Sequence, residues 1–120
     1  MAYGLLQNGD MDKNVILEYI LDGSAMRHRA LANNIANAET PGYSRRDVSF
    51  MDELKDAIES GDPESIASLT PKLETARKGE GVQLEKEFSA LAENQLLYQT
   101  SADLLSRHYA GLRKAISGKV

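Results

Sequence analysis

A chain of 120 residues with a formal net charge of −4 fits one domain, and so mild an acidity gives no footing for a nucleic-acid partner. Two Phe, no Trp and five scattered Tyr argue against a compact, thick core, and the absence of cysteine excludes disulfides and thiolate chemistry. No run reaches the roughly 20 apolar residues of a membrane-spanning helix, so direct membrane insertion is not expected.

Apolar residues gather in two segments, 15–38 and 82–117. The N-terminus lacks the positive region, apolar run and small-residue cleavage site of a secretory signal, so no cleaved leader is expected. Asp12 reads as an N-cap, opening a helix over 13–38. Its apolar line is Leu17, Leu21, Ala25, His28, Leu31, Ile35 and Ala38, and Gly23-Ser24-Ala25 forms a narrow waist where another backbone can come close. Asn33, Asn34 and Asn37 stand where a plain core helix would carry better helix formers. Thr40-Pro41-Gly42 then stops the helix, because proline drives residue 40 out of the α region and glycine accepts a positive φ.

Pro41 to Phe50 reads as a turn and an extended piece, and Met51 to Ser60 as a short helix. Asp62-Pro63 has the form of an N-cap with proline at the first helical position, opening a helix to about Leu69 that Pro71 ends. Lys72 to Arg77 is read as extended and Lys78-Gly79-Glu80-Gly81 as a turn or joint. The segment 39–81 holds too few apolar residues for a core of its own.

The clearest periodicity follows. At alternating steps of four and three stand Leu84, Phe88, Leu91, Gln95, Tyr98, Ala102, Leu105, Tyr109, Leu112 and Ile116, all apolar or aromatic except Gln95. An a/d seam this long predicts a helix over 82–117, roughly 50 Å in length, packed along another helix. Leu96, Leu97 and Leu104 widen the apolar face beyond what one partner covers, which fits either several partners or burial in an ordinary bundle. Gln95 either sets register or is merely tolerated there. Gly111 is either a weak point or a place of close helix approach.

Charge suggests how the two helices pair. Glu18 and Asp22 precede Arg27 and Arg29 on the first, and Glu85, Glu87 and Glu93 precede Arg107, Arg113 and Lys114 on the second. Both orders suit the helix dipole, and only an antiparallel pairing sets unlike charges opposite one another. The expected fold is therefore mainly α: one elongated domain with two long terminal helices in an antiparallel coiled-coil hairpin and a small irregular central segment.

Reactive chemistry is sparse. His28 and His108 lie on or beside the two seams and could approach each other in such a hairpin, but no metal-binding motif surrounds them. Gly79-Glu80-Gly81 lacks the features of a phosphate loop, and no serine sits in a nucleophile elbow. Arg45-Arg46 is read first as a solvated loop pair and second as an intersubunit contact. No catalytic framework, metal or cofactor is expected.

Two stretches resemble one family. They are Leu31-Ala32-Asn33-Asn34-Ile35-Ala36-Asn37 with Thr40-Pro41-Gly42-Tyr43 and Asp47-Val48-Ser49-Phe50, and then Val82 to Gly118. Together they cover about half of the chain and are similar to the bacterial flagellar axial proteins of rod and hook; the second stretch and the short length narrow the likeness to proximal rod subunits. The resemblance implies a non-enzymatic building block whose terminal helices pack with copies of itself and other rod subunits into a tube. It also implies rod-base adaptor and membrane-ring proteins as neighbours, and export through the flagellar type III apparatus. Carried onto this chain, the assembly interface is Leu31, Asn33, Asn34, Ile35, Asn37, Pro41, Gly42 and Tyr43, with the seam Leu84, Phe88, Leu91, Gln95, Tyr98, Leu105, Tyr109, Leu112 and Ile116. The alternative of another class is a cytoplasmic helical adaptor or export chaperone for axial proteins.

Overall fold

The computed structural model describes residues 2–75 and 81–118, with side chains of the first helix described from Lys13. Helix α1 spans Ala2–Ala36 and α4 spans Leu84–Ser117. Between them lie β1 (Arg46–Ser49), α2 (Met51–Ser60), α3 (Pro63–Ala67) and β2 (Lys72–Thr75). The molecule measures 59 × 30 × 16 Å, its long axis set by helices of about 50 Å.

The terminal helices pair antiparallel. Asn34 near the end of α1 meets Glu87 near the start of α4, Ser24 meets Asn94, and Glu18 meets Tyr109. Asp12 does not cap α1, which runs on through it to Ala2. Once a helix is nucleated, each added residue gains a hydrogen bond, so the local turn-like composition of Asn8-Gly9-Asp10 does not stop it.

The central segment is more regular than expected. Strands β1 and β2 pair antiparallel, with Val48 opposite Leu73. Helix α2 occupies the expected residues and ends on Gly61 in the left-handed region. Helix α3 opens as read, with Asp62 accepting from the Glu64 N–H and Pro63 behind it, but ends at Ala67. Residues 76–77 of the expected strand and the Lys78-Gly79-Glu80 turn lie outside the described residues.

The core lies between α1 and this central segment, not between the two long helices. Tyr19 and Ala30 of α1 pack with Val48, Phe50 and Leu54, flanked by Ile16, Ile20, Met26, Leu69 and Leu97. Tyr19 stacks edge-on against Phe50 at 6.3 Å between centroids and donates its hydroxyl to the Phe50 carbonyl at 3.1 Å. Burial, and then the charge of Glu53, raises the Tyr19 pKa above its usual value, which keeps the donor neutral. Too poor in apolar residues to fold alone, the segment borrows one face of α1.

The waist on α1 serves this contact. A Cβ on Gly23 would lie 2.5 Å from Phe50 Cγ, so glycine is what lets the ring reach the helix backbone. At Gly111 a Cβ would meet nothing within 4 Å, so no close approach within the chain requires that glycine.

Gly23→Ala forces Phe50 off its seat. The overpacking cost of about 1–3 kcal/mol exceeds the roughly 1 kcal/mol of helix propensity gained, so the urea midpoint falls. Gly111→Ala, free of any such clash, raises the midpoint, and equal shifts in the two variants would contradict the packing described.

Candidate assembly site

Helix α1 ends in the Asn-rich stretch, and its three asparagines do different work. The Asn37 amide folds back on the Asn33 carbonyl at 2.8 Å, and its oxygen accepts from Thr40 Oγ1 at 3.2 Å, closing the helix end locally. Asn33 is exposed. Asn34 is completely buried and makes four bonds. It donates to the Arg46 carbonyl (2.6 Å) and Glu87 Oε2 (3.2 Å), and accepts from the Arg46 N–H (2.8 Å) and the Tyr43 hydroxyl (2.9 Å). That is the full capacity of a carboxamide.

The turn that returns the chain to Asn34 is Thr40-Pro41-Gly42-Tyr43. The Tyr43 N–H donates to the Thr40 carbonyl at 3.2 Å and Gly42 has φ of +77°. Proline followed by a positive-φ glycine is the pattern of a type II turn.

Charges surround the Asn34 hub. Glu87 on α4 is 2% exposed and accepts from Arg45 Nε at 2.7 Å. That hydrogen bond is the main influence raising the Arg45 pKa, against the opposing effect of burial. Arg45 also approaches Asp47 at 3.5 Å, and Asp47 takes Arg27 Nε at 2.8 Å and its own neighbour's Val48 N–H at 2.7 Å. Burial alone would raise the Asp47 carboxyl, but hydrogen bonds from Arg27 and Val48, with the charges of Arg27 and Arg45, outweigh it and hold its pKa below the ordinary value. One connected polar network therefore ties α1, the turn, β1 and α4 together. Arg45 belongs to this network and not to a solvated loop, whereas the Arg46 side chain is exposed.

The α4 face toward α1 continues in the same polar style. Its buried residues are Glu87, Asn94 and Ser101, seven apart, with Leu91, Leu97, Ala102 and Leu105 half-buried beside them. Asn94 donates to the Ser24 carbonyl at 2.7 Å. No ion pair joins α1 to α4 among the described residues, so the antiparallel arrangement rests on these hydrogen bonds rather than on the facing charges that sequence suggested.

Most of the apolar seam turns outward in consequence, while its Leu91, Ala102 and Leu105 stay half-buried. Leu84, Phe88, Gln95, Tyr98, Tyr109, Leu112 and Ile116 are exposed, with Phe88 at 54% and Ile116 at 86%. The sequence left open which apolar face turns to its own chain; in the structure α1 packs with Val48, Phe50 and Leu54, and most of the seam stays free of it. Gln95, exposed, sets no register within the chain. Two expected assembly residues, Leu31 and Asn34, are fully enclosed by their own chain and offer a neighbour no surface. Ile35 and Tyr43 are half-buried, and Pro41 and Gly42 are exposed. Sequence reading missed Glu87, Asn94 and Ser101, although polar residues recurring every seven positions were a signal that could have marked them.

The histidines do not meet. His28 lies beside Asn94 and Tyr98, whereas His108 stacks near Tyr109, whose hydroxyl donates to Glu18, ten residues and about 15 Å along α1 from His28. Among the described residues no three His, Asp or Glu side chains gather as a metal set, and no helix is long and apolar enough to cross a membrane.

A long helical hairpin keyed inside by polar groups and apolar on its outer stripe has the build of an assembling helical subunit. No family model matches the chain. It is 30% identical to the flagellar basal body rod protein FlgB of Aeromonas hydrophila, over 87% of this chain and 92% of that protein. It is 33% identical to FlgB of Escherichia coli (strain K12), over 77% and 83% of the two chains, and 27% identical to FlgB of Bacillus subtilis (strain 168), over 85% and 91%. The chain belongs to the family of flagellar basal body rod proteins FlgB.

The network sets two measurable expectations. Arg45→Met strands a buried carboxylate and costs about 3 kcal/mol, while Arg45→Met with Glu87→Met recovers most of the loss; a double-mutant cycle by urea denaturation reads the coupling. Because the folded-state pKa of Asp47 is depressed, its contribution is present above the unfolded value near pH ~4 and is lost as pH falls through the folded one. Thermal midpoints measured from pH 6 downward fall along that limb, and Asp47→Asn flattens it.

Proposed function

We propose that the chain is a structural, non-enzymatic subunit of the flagellar proximal rod, polymerising through its terminal helices into the tubular drive shaft and export channel. The supporting observation is the outward stripe of α4, where Leu84, Phe88, Tyr109, Leu112 and Ile116 stay exposed on a chain whose relatives are named as rod proteins. Burying one such side chain is worth about 1.5–3 kcal/mol, which a monomer forgoes and an assembly recovers. The contact surface in this reading is that stripe with Gln95 and Tyr98, joined by Asn33, Asn37, Pro41 and Gly42 at the closed end of the hairpin. Neighbours are other rod subunits, with rod-base adaptor and membrane-ring proteins below. The subunit works on the periplasmic side of the inner-membrane ring, reached through the flagellar type III export apparatus.

Electron cryotomography of cells lacking the gene, beside a complemented strain, tests this directly. Membrane rings without rod or hook, restored by complementation, are expected; complete basal bodies in the deletion strain would overturn the reading. Complementation with Leu84→Glu/Ile116→Glu, which alters only exposed positions, is expected to leave rods absent while the purified monomer keeps its thermal midpoint.

A further inference from the structure

Asn94 uses only half of its buried carboxamide. The residue is 2% exposed, and its Nδ2 donates to the Ser24 carbonyl at 2.7 Å. A carbonyl can only accept, so that bond fixes which end of the amide is which and leaves Oδ1 as the free atom. Oδ1 is buried and meets no donor among the described residues. Asn34, by contrast, fills both ends of its amide. An acceptor taken from water and left unpaired is where an incoming donor gains most.

Asn94 also borders a cavity of about 220 Å3 between the two long helices, walled by Ala25, His28 and Arg29 of α1 and by Gln95 and Tyr98 of α4. That is several times the roughly 30 Å3 of a water in the liquid, so the cavity admits a group of several heavy atoms. His28, Arg29, Gln95 and Tyr98 are exposed, and side chains of that kind change rotamer quickly enough to uncover the buried Oδ1.

The lining selects the ligand. Among the described residues no Asp or Glu lines the cavity, while Arg29 and His28 bring donors to its rim. A carboxylate is drawn to Arg29 but offers only acceptors to Oδ1. An ammonium donates to Oδ1 but meets the like charge of Arg29. A hydroxyl carries its donor and acceptor on one atom and cannot span from Oδ1 to the rim. A primary carboxamide has its NH2 and its oxygen on opposite arms of one plane and serves both.

We propose that this cavity binds a primary carboxamide, which donates to Asn94 Oδ1 and accepts from Arg29 or His28. Two sources carry that group: an Asn or Gln side chain of another protein, and a free amide such as glutamine. The site is independent of the rod reading.

The test uses the full purified chain. Propionamide is titrated while 1H–15N spectra follow the backbone and the Asn94 side-chain amide. Saturable shifts confined to residues 24–29 and 94–98 are expected, with a Kd of about 1–50 mM for so small a probe. Propionate and propylamine, of the same shape, are expected to bind at least about fivefold more weakly. Ala25→Leu fills the cavity and keeps every polar group; it is expected to abolish the shifts while circular dichroism shows unchanged helicity. Asn94→Leu is expected to erase the preference for propionamide over propionate. It also breaks the bond to Ser24, so Ala25→Leu decides the matter if Asn94→Leu loses helicity. Acetyl-Gly-Gln-Gly-N-methylamide binding at least as tightly as propionamide assigns the site to a partner's side chain, whereas free glutamine binding more tightly than that peptide assigns it to a free amide. Equal binding of propionate, shifts spread along both helices, shifts that survive Ala25→Leu, or no shifts at all would each overturn the proposal. None of these outcomes touches the rod reading, which tomography of the deletion strain decides separately.

Discussion

The buried carboxamide of Asn34 is the joint on which the subunit depends. Its four bonds hold the end of α1, both backbone polar groups of Arg46, the Tyr43 hydroxyl and the Glu87 carboxylate in one geometry. Each bond alone is worth about 1 kcal/mol, but removing the side chain would leave several buried partners unsatisfied together, including a charge. The position of β1 against α1, and with it the seat of Phe50 on Gly23, follows from this joint. So does the axial setting of α4, because Glu87 is the first polar residue on its inward face.

That inward face has an energetic consequence. Glu87, Asn94 and Ser101 contribute little hydrophobic stabilisation, so α4 is held less by burial than by a set of hydrogen bonds that only one alignment satisfies. Polar residues at core positions of paired helices cost stability and fix register. An apolar stripe facing α1 would have allowed heptad slips at little cost. Here a slip would part Asn94 from the Ser24 carbonyl and Glu87 from Arg45 at once. Stability is concentrated elsewhere, in the small core that α1 shares with the central segment.

Much of the architecture was legible in the sequence, and the limits are physical. Periodicity located α4 to within two residues, Asp62-Pro63 located α3, and Thr40-Pro41-Gly42 located the turn, because each depends on local backbone preferences. The antiparallel pairing was also legible, though charge was the wrong reason for it. Left open was whether the cleanest apolar stripe faces its own chain or a neighbour. Periodicity reports that a face is apolar and says nothing of which molecule covers it. Arg45, read as solvated, and Asn34, read as an assembly contact, were misplaced for a related cause: both look outward-facing until tertiary structure brings Glu87 to them across more than forty residues.

The division between inside and outside suits a subunit that must be specific before it is stable. If the apolar stripe of α4 were spent on α1, the hairpin would be sturdier and the assembly would have no adhesive. If the inner face were also apolar, the two stripes would compete, and either could be buried against a neighbour in the wrong register. A polar inner face removes that ambiguity: the Glu87 carboxylate and the Asn94 amide N–H are met by their own chain's Arg45, Asn34 and Ser24, so the outer stripe of α4 remains for other subunits. The same side-chain chemistry that lowers the hairpin's stability therefore decides which surface is left for association.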